Sequence, residues 1–141
     1  MNETVVNCKD GDFKVEYNQV HPTAIIHRGA LLGRHNVIGA YVVIGPDVVM
    51  GDNNRIYSHA VIGSDPEHRN WSQPYGKVMI GDNNEIREHV TINGGTEKST
   101  YVGYGCLIMT KAHLGHDVVV MGGATVCSGA IIGGHTVIEE G

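Results

Sequence analysis

The chain has 141 residues and a formal net charge of −5, with twenty glycines and three cysteines but only one phenylalanine and one tryptophan. This length allows a single domain, and the acidic balance provides no basic surface for nucleic acid or anionic lipid. No apolar run approaches the roughly 20 residues that a membrane-spanning helix needs, and the polar N-terminus is unlike a secretory signal. The odd, unpatterned cysteines are typical of reduced thiols, so we expect a cytoplasmic protein.

The first predicted element is a hairpin within residues 4–17, with its turn at Asp10 and Gly11. An Asp-Gly pair between two short runs of strand-forming residues is typical of a tight β-turn. We therefore assign residues 1–19 to an N-terminal hairpin or arm, which caps a second region formed by residues 20–141.

An aliphatic residue recurs every six positions through that second region. A helix would need apolar spacing near 3.6 residues, and ordinary antiparallel strands would show turns every 8–12 residues. A strict period of six instead predicts short strands separated by corners, with three strands in each 18-residue triangular coil. Seventeen positions follow the pattern, and glycine succeeds nine of them: Ile26, Leu32, Ile38, Ile44, Met50, Ile56, Ile62, Ile80, Ile86, Ile92, Val102, Ile108, Leu114, Val120, Val126, Ile132 and Ile138.

Two stretches interrupt the period. Residues 64–79 hold the only tryptophan and two of the four prolines, which predicts a loop leaving the coil. The second break lies at GGTEKSTY, where the step from Ile92 to Val102 is ten residues, four more than one repeat. Loops on a rigid scaffold often carry function.

The motif KAHLGHD at 111–117 is the strongest candidate for a functional site. Because Leu114 points inward, His116 falls at a corner, and Gly134 lies one coil of 18 residues further on. A histidine beside an open glycine N–H combines a general base with an oxyanion donor, the arrangement that acyl transfer needs. Asp117 can fix the imidazole tautomer only if corner geometry turns both side chains together, since neighbours on a flat strand point to opposite faces.

Four segments carry a comparison with a known family: VHPTAII (20–26), IREHVTINGGT (86–96), KAHLGHD (111–117) and AIIGGH (130–135). In this order they resemble segments of the bacterial acyl-[acyl-carrier-protein]–UDP-N-acetylglucosamine O-acyltransferases, which belong to the hexapeptide-repeat superfamily. The resemblance covers residues 20–138 and implies an all-β, left-handed parallel β-helix that assembles as a homotrimer. It also implies an acyltransferase of the lipid A pathway, moving an acyl chain from acyl carrier protein to the hydroxyl, or amine, of a UDP-N-acetylglucosamine-type sugar.

The resemblance assigns roles residue by residue. His116 becomes the general base, Asp117 its partner and Gly134 the oxyanion donor, while His113 and His135 line the substrate groove. It implies no metal and no cofactor, because the carrier-protein thioester is itself the donor substrate.

The chain departs from the family at several positions. Asn93 and Gly94 stand where family members carry histidine and arginine, and the loop reads EHRNWS, with His68 and Asn70 where an acidic residue and a lysine are usual. We assign Asn93, His68 and Asn70 to substrate binding at these positions. The family continues beyond the point that matches Gly141, so two readings are open: the chain is a C-terminally shortened piece of a longer protein, or a shorter relative with a different substrate.

Two alternatives remain open at this point. A γ-type carbonic anhydrase shares the left-handed helix and holds zinc with three histidines, but its paired ligands are five apart, whereas His113 and His116 are three apart. A non-catalytic β-helix that serves in assembly is the other. Bound metal distinguishes the first alternative, and the effect of His116→Ala on turnover distinguishes the second.

Overall fold

The computed structural model describes residues 4–6, 17–72 and 76–141, and these form nineteen strands in three sheets. Sheet I contains β1 (Thr4–Val6), β3 (Ile25–His27), β6 (Val43–Ile44), β9 (Val61–Ser64), β12 (Thr91–Asn93), β15 (His113–Leu114) and β18 (Ile131–Ile132). Sheet II contains β4 (Leu31–Leu32), β7 (Val48–Met50), β10 (Val78–Ile80), β13 (Thr100–Val102), β16 (Val119–Val120) and β19 (Val137–Ile138). Sheet III contains β2 (Gln19–Val20), β5 (Val37–Ile38), β8 (Arg55–Ile56), β11 (Glu85–Ile86), β14 (Leu107–Ile108) and β17 (Thr125–Val126).

Successive strands visit sheets III, I and II in turn, so the chain winds as a triangular coil. All pairs from β2 onward are parallel, and each joins a residue to its equivalent in the next coil, as Val43 joins Val61. The exception is β1, which runs antiparallel to β3 along the first edge of sheet I. The predicted hairpin turn at Asp10 and Gly11 lies outside the described residues.

The repeated aliphatic positions form the core. Fifteen of the seventeen predicted inward residues are buried, and Ile44, Ile62, Ile92 and Leu114 have no exposed surface. Ile132 and Ile138 are only partly buried, because β18 and β19 belong to the last coil of the described residues and each pairs there with a single strand. Each fully buried aliphatic side chain stabilises the coil by about 1.5–3 kcal/mol.

A column of buried asparagines holds the corner between sheets II and III. Asn18, Asn36, Asn54 and Asn84, here called the asparagine ladder, occupy equivalent positions in consecutive coils. Each side-chain amide donates to a carbonyl one coil further on at 2.8–2.9 Å. Each amide oxygen accepts the backbone N–H of the next residue in the column, and Asn84 Oδ1 accepts from Cys106 N–H at 2.8 Å. Backbone groups that a corner would leave unpaired are satisfied in this way.

Both interruptions of the repeat leave the coil at the corner between sheets I and II. The longer one separates β9 from β10, so Val78 and Met79, which the sequence placed in the loop, already belong to a strand. The shorter one separates β12 from β13 in the next coil. None of the described residues belongs to a helix with the length and apolar character that crossing a bilayer requires.

Candidate active site

The KAHLGHD motif contains β15 and the corner that follows this strand, between sheets I and II. The pairing of Leu114 with Ile132 and of Val119 with Val137 places His116 beside Gly134 and Asp117 beside His135. We call these four residues the histidine corner. Asp117 and His135 both have left-handed backbone conformations, with φ of 59° and 63°. Asp and His are among the non-glycine residues that tolerate this region best, so these residue types suit the turn.

The side chain of Asp117 is fully buried and surrounded by donors from the shorter loop. Its Oδ1 accepts N–H groups from Glu97 at 2.9 Å and Lys98 at 2.6 Å, and its Oδ2 accepts the Thr96 hydroxyl at 2.6 Å. Burial alone favours the neutral acid, but the hydrogen bonds from Thr96, Lys98, His116 and Glu97 outweigh it and hold the pKa of Asp117 well below its usual range. Asp117 is therefore a carboxylate at neutral pH.

This carboxylate determines which tautomer the neutral His116 ring adopts. The Nδ1 of His116 lies 2.7 Å from Asp117 Oδ2. Because an ionised carboxylate can only accept hydrogen bonds, Nδ1 carries the proton of the neutral ring and Nε2 keeps its lone pair. The predicted orientation of His116 by Asp117 thus has the required geometry. The His116 side chain retains 14% exposure, so the ring is not sealed from a substrate.

Gly134 lies directly against the ring of His116, as the spacing of 18 residues predicts. A Cβ atom at position 134 would meet His116 Cε1 at 2.6 Å and Nε2 at 2.7 Å, which is closer than real contacts allow. Only glycine therefore leaves room for the imidazole. No acceptor among the described residues bonds the Gly134 N–H, so this donor is open beside the ring.

Two further histidines contact His116 edge-on. His135 lies with its ring centroid 5.1 Å from that of His116, and its Nε2 is 3.7 Å from Asp117 Oδ2. His68, in the longer loop, has its centroid 5.3 Å from His116. The predicted residues His68 and His135 are therefore brought to the candidate base from two different segments.

His113 stands apart from the histidine corner: it lies in β15, three residues before His116, on the outer face of sheet I. Its Nδ1 lies 2.7 Å from the Thr91 hydroxyl, and its Nε2 lies 3.9 Å from a Glu67 carboxylate oxygen in the longer loop. This position fits the wall of a groove beneath the loop. His113 and His116 do not converge on a common point, unlike the paired zinc ligands of the carbonic anhydrase alternative.

Asn93 and Asn70 occupy different environments. Asn93 is buried at the base of the longer loop, where its Oδ1 accepts the Ser64 hydroxyl at 3.3 Å and its Nδ2 donor has no partner among the described residues. Asn70 is exposed, and no hydrogen bond in the described part of the chain joins it to the histidines. A small cavity of about 60 Å³ opens beside Ser64, Asp65 and Gly94.

The contribution of the shorter loop was not predicted from the sequence. Thr96, Glu97 and Lys98 supply the donors that stabilise the Asp117 carboxylate, and the four extra residues between Ile92 and Val102 were the available signal. A larger hollow of about 300 Å³, lined by Val37, Arg55 and Tyr57, lies on the outer face of sheet III and includes none of the predicted site residues.

Comparison with protein families supports the repeat. The bacterial transferase hexapeptide (six repeats) family matches residues 29–64. An acyl-[acyl-carrier-protein]–UDP-N-acetylglucosamine O-acyltransferase from Nautilia profundicola is 35% identical over 92 residues, which cover 63% of this chain and 36% of the relative. The enzyme of the same name from a Sulfurovum species is 36% identical over 122 residues, covering 72% of this chain and 47% of the relative. The chain thus spans between a third and a half of the length of these curated relatives.

Solved structures show the same fold. The UDP-N-acetylglucosamine acyltransferase of Bacteroides fragilis superimposes with a TM-score of 0.73 at 30% identity, over 86% of this chain and 56% of the other. The Campylobacter jejuni enzyme gives a TM-score of 0.68 at 30% identity, over 84% and 54%. The predicted all-β, left-handed parallel β-helix of hexapeptide repeats is confirmed.

Proposed function

We propose that this chain, whose resemblance to the UDP-N-acetylglucosamine O-acyltransferases is confirmed across most of its length, is an acyltransferase that acts on a sugar nucleotide of the UDP-N-acetylglucosamine type. The donor is an acyl carrier protein thioester, and the product belongs to a lipid A-like pathway. The observation that carries this proposal is the buried Asp117 carboxylate, 2.7 Å from His116 Nδ1, next to the open N–H of Gly134.

The proposed reaction uses three groups at the histidine corner. His116 Nε2 removes the proton of the acceptor hydroxyl as the oxygen attacks the thioester carbonyl carbon. The Gly134 N–H donates to the oxyanion of the tetrahedral intermediate. Collapse of the intermediate breaks the carbon–sulfur bond, and the imidazolium returns its proton to the departing sulfur. Asp117 stabilises the imidazolium between these two proton transfers.

The surrounding residues bind and position the substrates. His135 and His68 enclose the base from two sides, and His113 lines the groove under the longer loop. The unpartnered Asn93 Nδ2 offers a buried donor to a substrate oxygen, since an unpaired buried donor is costly unless a ligand satisfies it. Asn70 contacts the substrate from the exposed part of the loop. The reaction requires no metal and no cofactor besides the donor thioester.

The proposed enzyme is a cytoplasmic homotrimer with its clefts between neighbouring subunits. Support for assembly comes from the flat outer face of sheet II, where large apolar side chains remain exposed in the single chain: Leu31, Met79, Tyr101 and Val137. Flat faces of this kind can pack on copies arranged around one axis.

A donor screen tests the proposal. Acyl carrier protein thioesters and coenzyme A thioesters of several chain lengths are each incubated with UDP-N-acetylglucosamine, and products are identified by mass. We expect an acylated sugar nucleotide from the carrier-protein donor, and release of the acyl group by mild alkali distinguishes an ester from an amide. Absence of any product with every donor, from protein that is folded and assembled, would contradict the proposal.

A further inference from the structure

One nitrogen from His116, one nitrogen from His135 and one carboxylate oxygen of Asp117 all lie within 4.8 Å of one another. We propose that these three residues form a binding site for a late first-row divalent cation such as Zn²⁺, and that the bound ion inhibits the enzyme. Two imidazoles and one carboxylate are a donor set that Zn²⁺ accepts, with the fourth position left open to water. The cation is an inhibitory ligand here, not a cofactor.

The fold prepares two of the three ligands without metal. Asp117 is held by the backbone N–H groups of Glu97 and Lys98 and by the Thr96 hydroxyl, so its carboxylate is already ionised and fixed. His116 contacts the same carboxylate oxygen through Nδ1. Ligands that are oriented by surrounding hydrogen bonds bind metal more tightly than free side chains. An ion between these two ligands requires their Nδ1–Oδ2 separation to widen from 2.7 Å to roughly 3.4 Å, and this movement falls to the His116 ring because the loop holds Asp117.

The third ligand needs only a small displacement. His135 Nε2 lies 3.7 Å from Asp117 Oδ2, whereas two donors of one tetrahedral zinc ion, each about 2.0–2.2 Å from the metal, lie roughly 3.4 Å apart. The His135 side chain is half exposed, so it can approach by a few tenths of an ångström without disturbing the core. Asp117 and His135 occupy equivalent positions in consecutive coils, which keeps their side chains directed to the same side.

Metal binding and the proposed catalysis exclude each other. The ion replaces the proton between His116 Nδ1 and Asp117, and the neutral ring then carries its proton on Nε2. That nitrogen is the proposed base, so a metallated His116 cannot accept the proton of the acceptor hydroxyl. This inhibitory consequence depends on the proposed function, whereas binding of the ion does not.

Titration of the full chain with Zn²⁺ by calorimetry, and with Co²⁺ by visible absorption, tests the site directly. We expect one dominant equivalent per chain and tetrahedral Co²⁺ bands. His135→Gln should weaken binding by at least about tenfold and abolish those bands, because a ligand is lost. The matched control is His59→Gln, an exposed histidine that stacks on Tyr41 and His89 at another corner, and it should leave binding unchanged.

Equal affinity in the wild type and in folded His135→Gln protein would overturn the site, as would binding spread over many of the nine histidines. If the donor screen yields product, Zn²⁺ should suppress turnover in the wild type at concentrations that fill the site, and a chelator should restore it. His135→Gln should resist this suppression. A wild type that binds one ion yet transfers no acyl group supports the metal site and contradicts the proposed function, so the two failures are distinguishable.

Discussion

Two corners of the same coil use polar residues in opposite ways. In the asparagine ladder, the same residue type recurs in consecutive coils, and each side chain satisfies the backbone of the next coil. At the histidine corner, each coil contributes a different residue, two loops interrupt the repeat, and the Gly134 N–H has no partner among the described residues. Repetition stabilises the scaffold, whereas its interruption leaves groups available for chemistry.

The largest effect that we expect from this difference is the loss of turnover in His116→Ala. General-base catalysis contributes typically about 10²–10⁴-fold, so kcat should fall by at least roughly 100-fold. His59→Ala removes an equally polar ring from a corner without loops and should keep the wild-type rate. Steady-state kinetics with the donor found in the screen measure both. A wild-type rate from assembled His116→Ala protein would show that the histidine corner is not the catalytic centre.

In the asparagine ladder, Asn54→Ala should instead lower stability and leave kcat unchanged. This change leaves the carbonyl of Gly81 and the N–H of Asn84 unpaired in a buried corner. Each unsatisfied group costs about 1–3 kcal/mol, so the free energy of unfolding should drop by about 2–6 kcal/mol. Urea denaturation gives this value, while kcat of the fraction that remains folded should be unchanged. A loss below about 0.5 kcal/mol would mean that water replaces the amide at little cost.

Asp117→Asn tests a residue that is both structural and functional. Its side chain is buried with its hydrogen bonds satisfied, like the asparagine ladder, but it also orients His116. Replacing a charged acceptor should lower the free energy of unfolding by about 1–3 kcal/mol at neutral pH and also reduce kcat. The folded-state pKa of Asp117 is depressed, so the stability it contributes is fully present above the unfolded-state pKa of about 3.9 and is lost as the pH falls towards the folded-state pKa.

The difference in unfolding free energy between wild type and Asp117→Asn should therefore shrink below about pH 4, which denaturant titrations across the acid range measure. His59→Asn serves as the control for a surface substitution and should show no such trend. A difference that stays constant into acid would indicate that the pKa of Asp117 is the same in the folded and the unfolded protein.

Gly134→Ala separates steric fit from hydrogen bonding, since alanine keeps the backbone N–H. The new Cβ forces the His116 ring to move, because it would otherwise lie within 2.7 Å of Nε2. A displacement near 1 Å can cost up to about 100-fold in rate, so we expect a loss of about 10–100-fold in kcat with little change in stability. Gly133→Ala, where a Cβ meets nothing within 4 Å, is the matched control.

The smallest effect should come from extending the ladder with Cys106→Asn. Cys106 occupies the next position in the column, and its Sγ lies 3.1 Å from the Met121 carbonyl, where a further asparagine amide would donate. Burial raises the pKa of this thiol, so it remains neutral and a weak donor. We expect a gain in unfolding free energy of up to about 1 kcal/mol by thermal melting. A marked loss would show that the corner cannot hold the larger side chain.

The sequence predicted the scaffold well because one signal, the period of six, recurs in every coil. It located Leu114 inside, His116 at a corner and Gly134 beside it, since all three follow from the register of 18 residues. It did not predict the donors around Asp117 or the approach of His68, because those depend on loops whose paths carry no periodic signal. The partial exposure of Ile138 also escaped prediction, since the pattern does not register how many neighbours a coil has.

The excursions at one corner also bear on how the chain reaches its fold. Each strand pairs only with strands of the neighbouring coils. Folding can therefore start where two coils pair and propagate from coil to coil along the solenoid. Most of these steps close 18 residues, but the step from Asn54 to Asn84 must close 30. Loop entropy grows only logarithmically with length, so the longer closure adds just about 0.5 kcal/mol to that step. A solenoid can therefore acquire a functional loop at little entropic cost to the pairing of its coils.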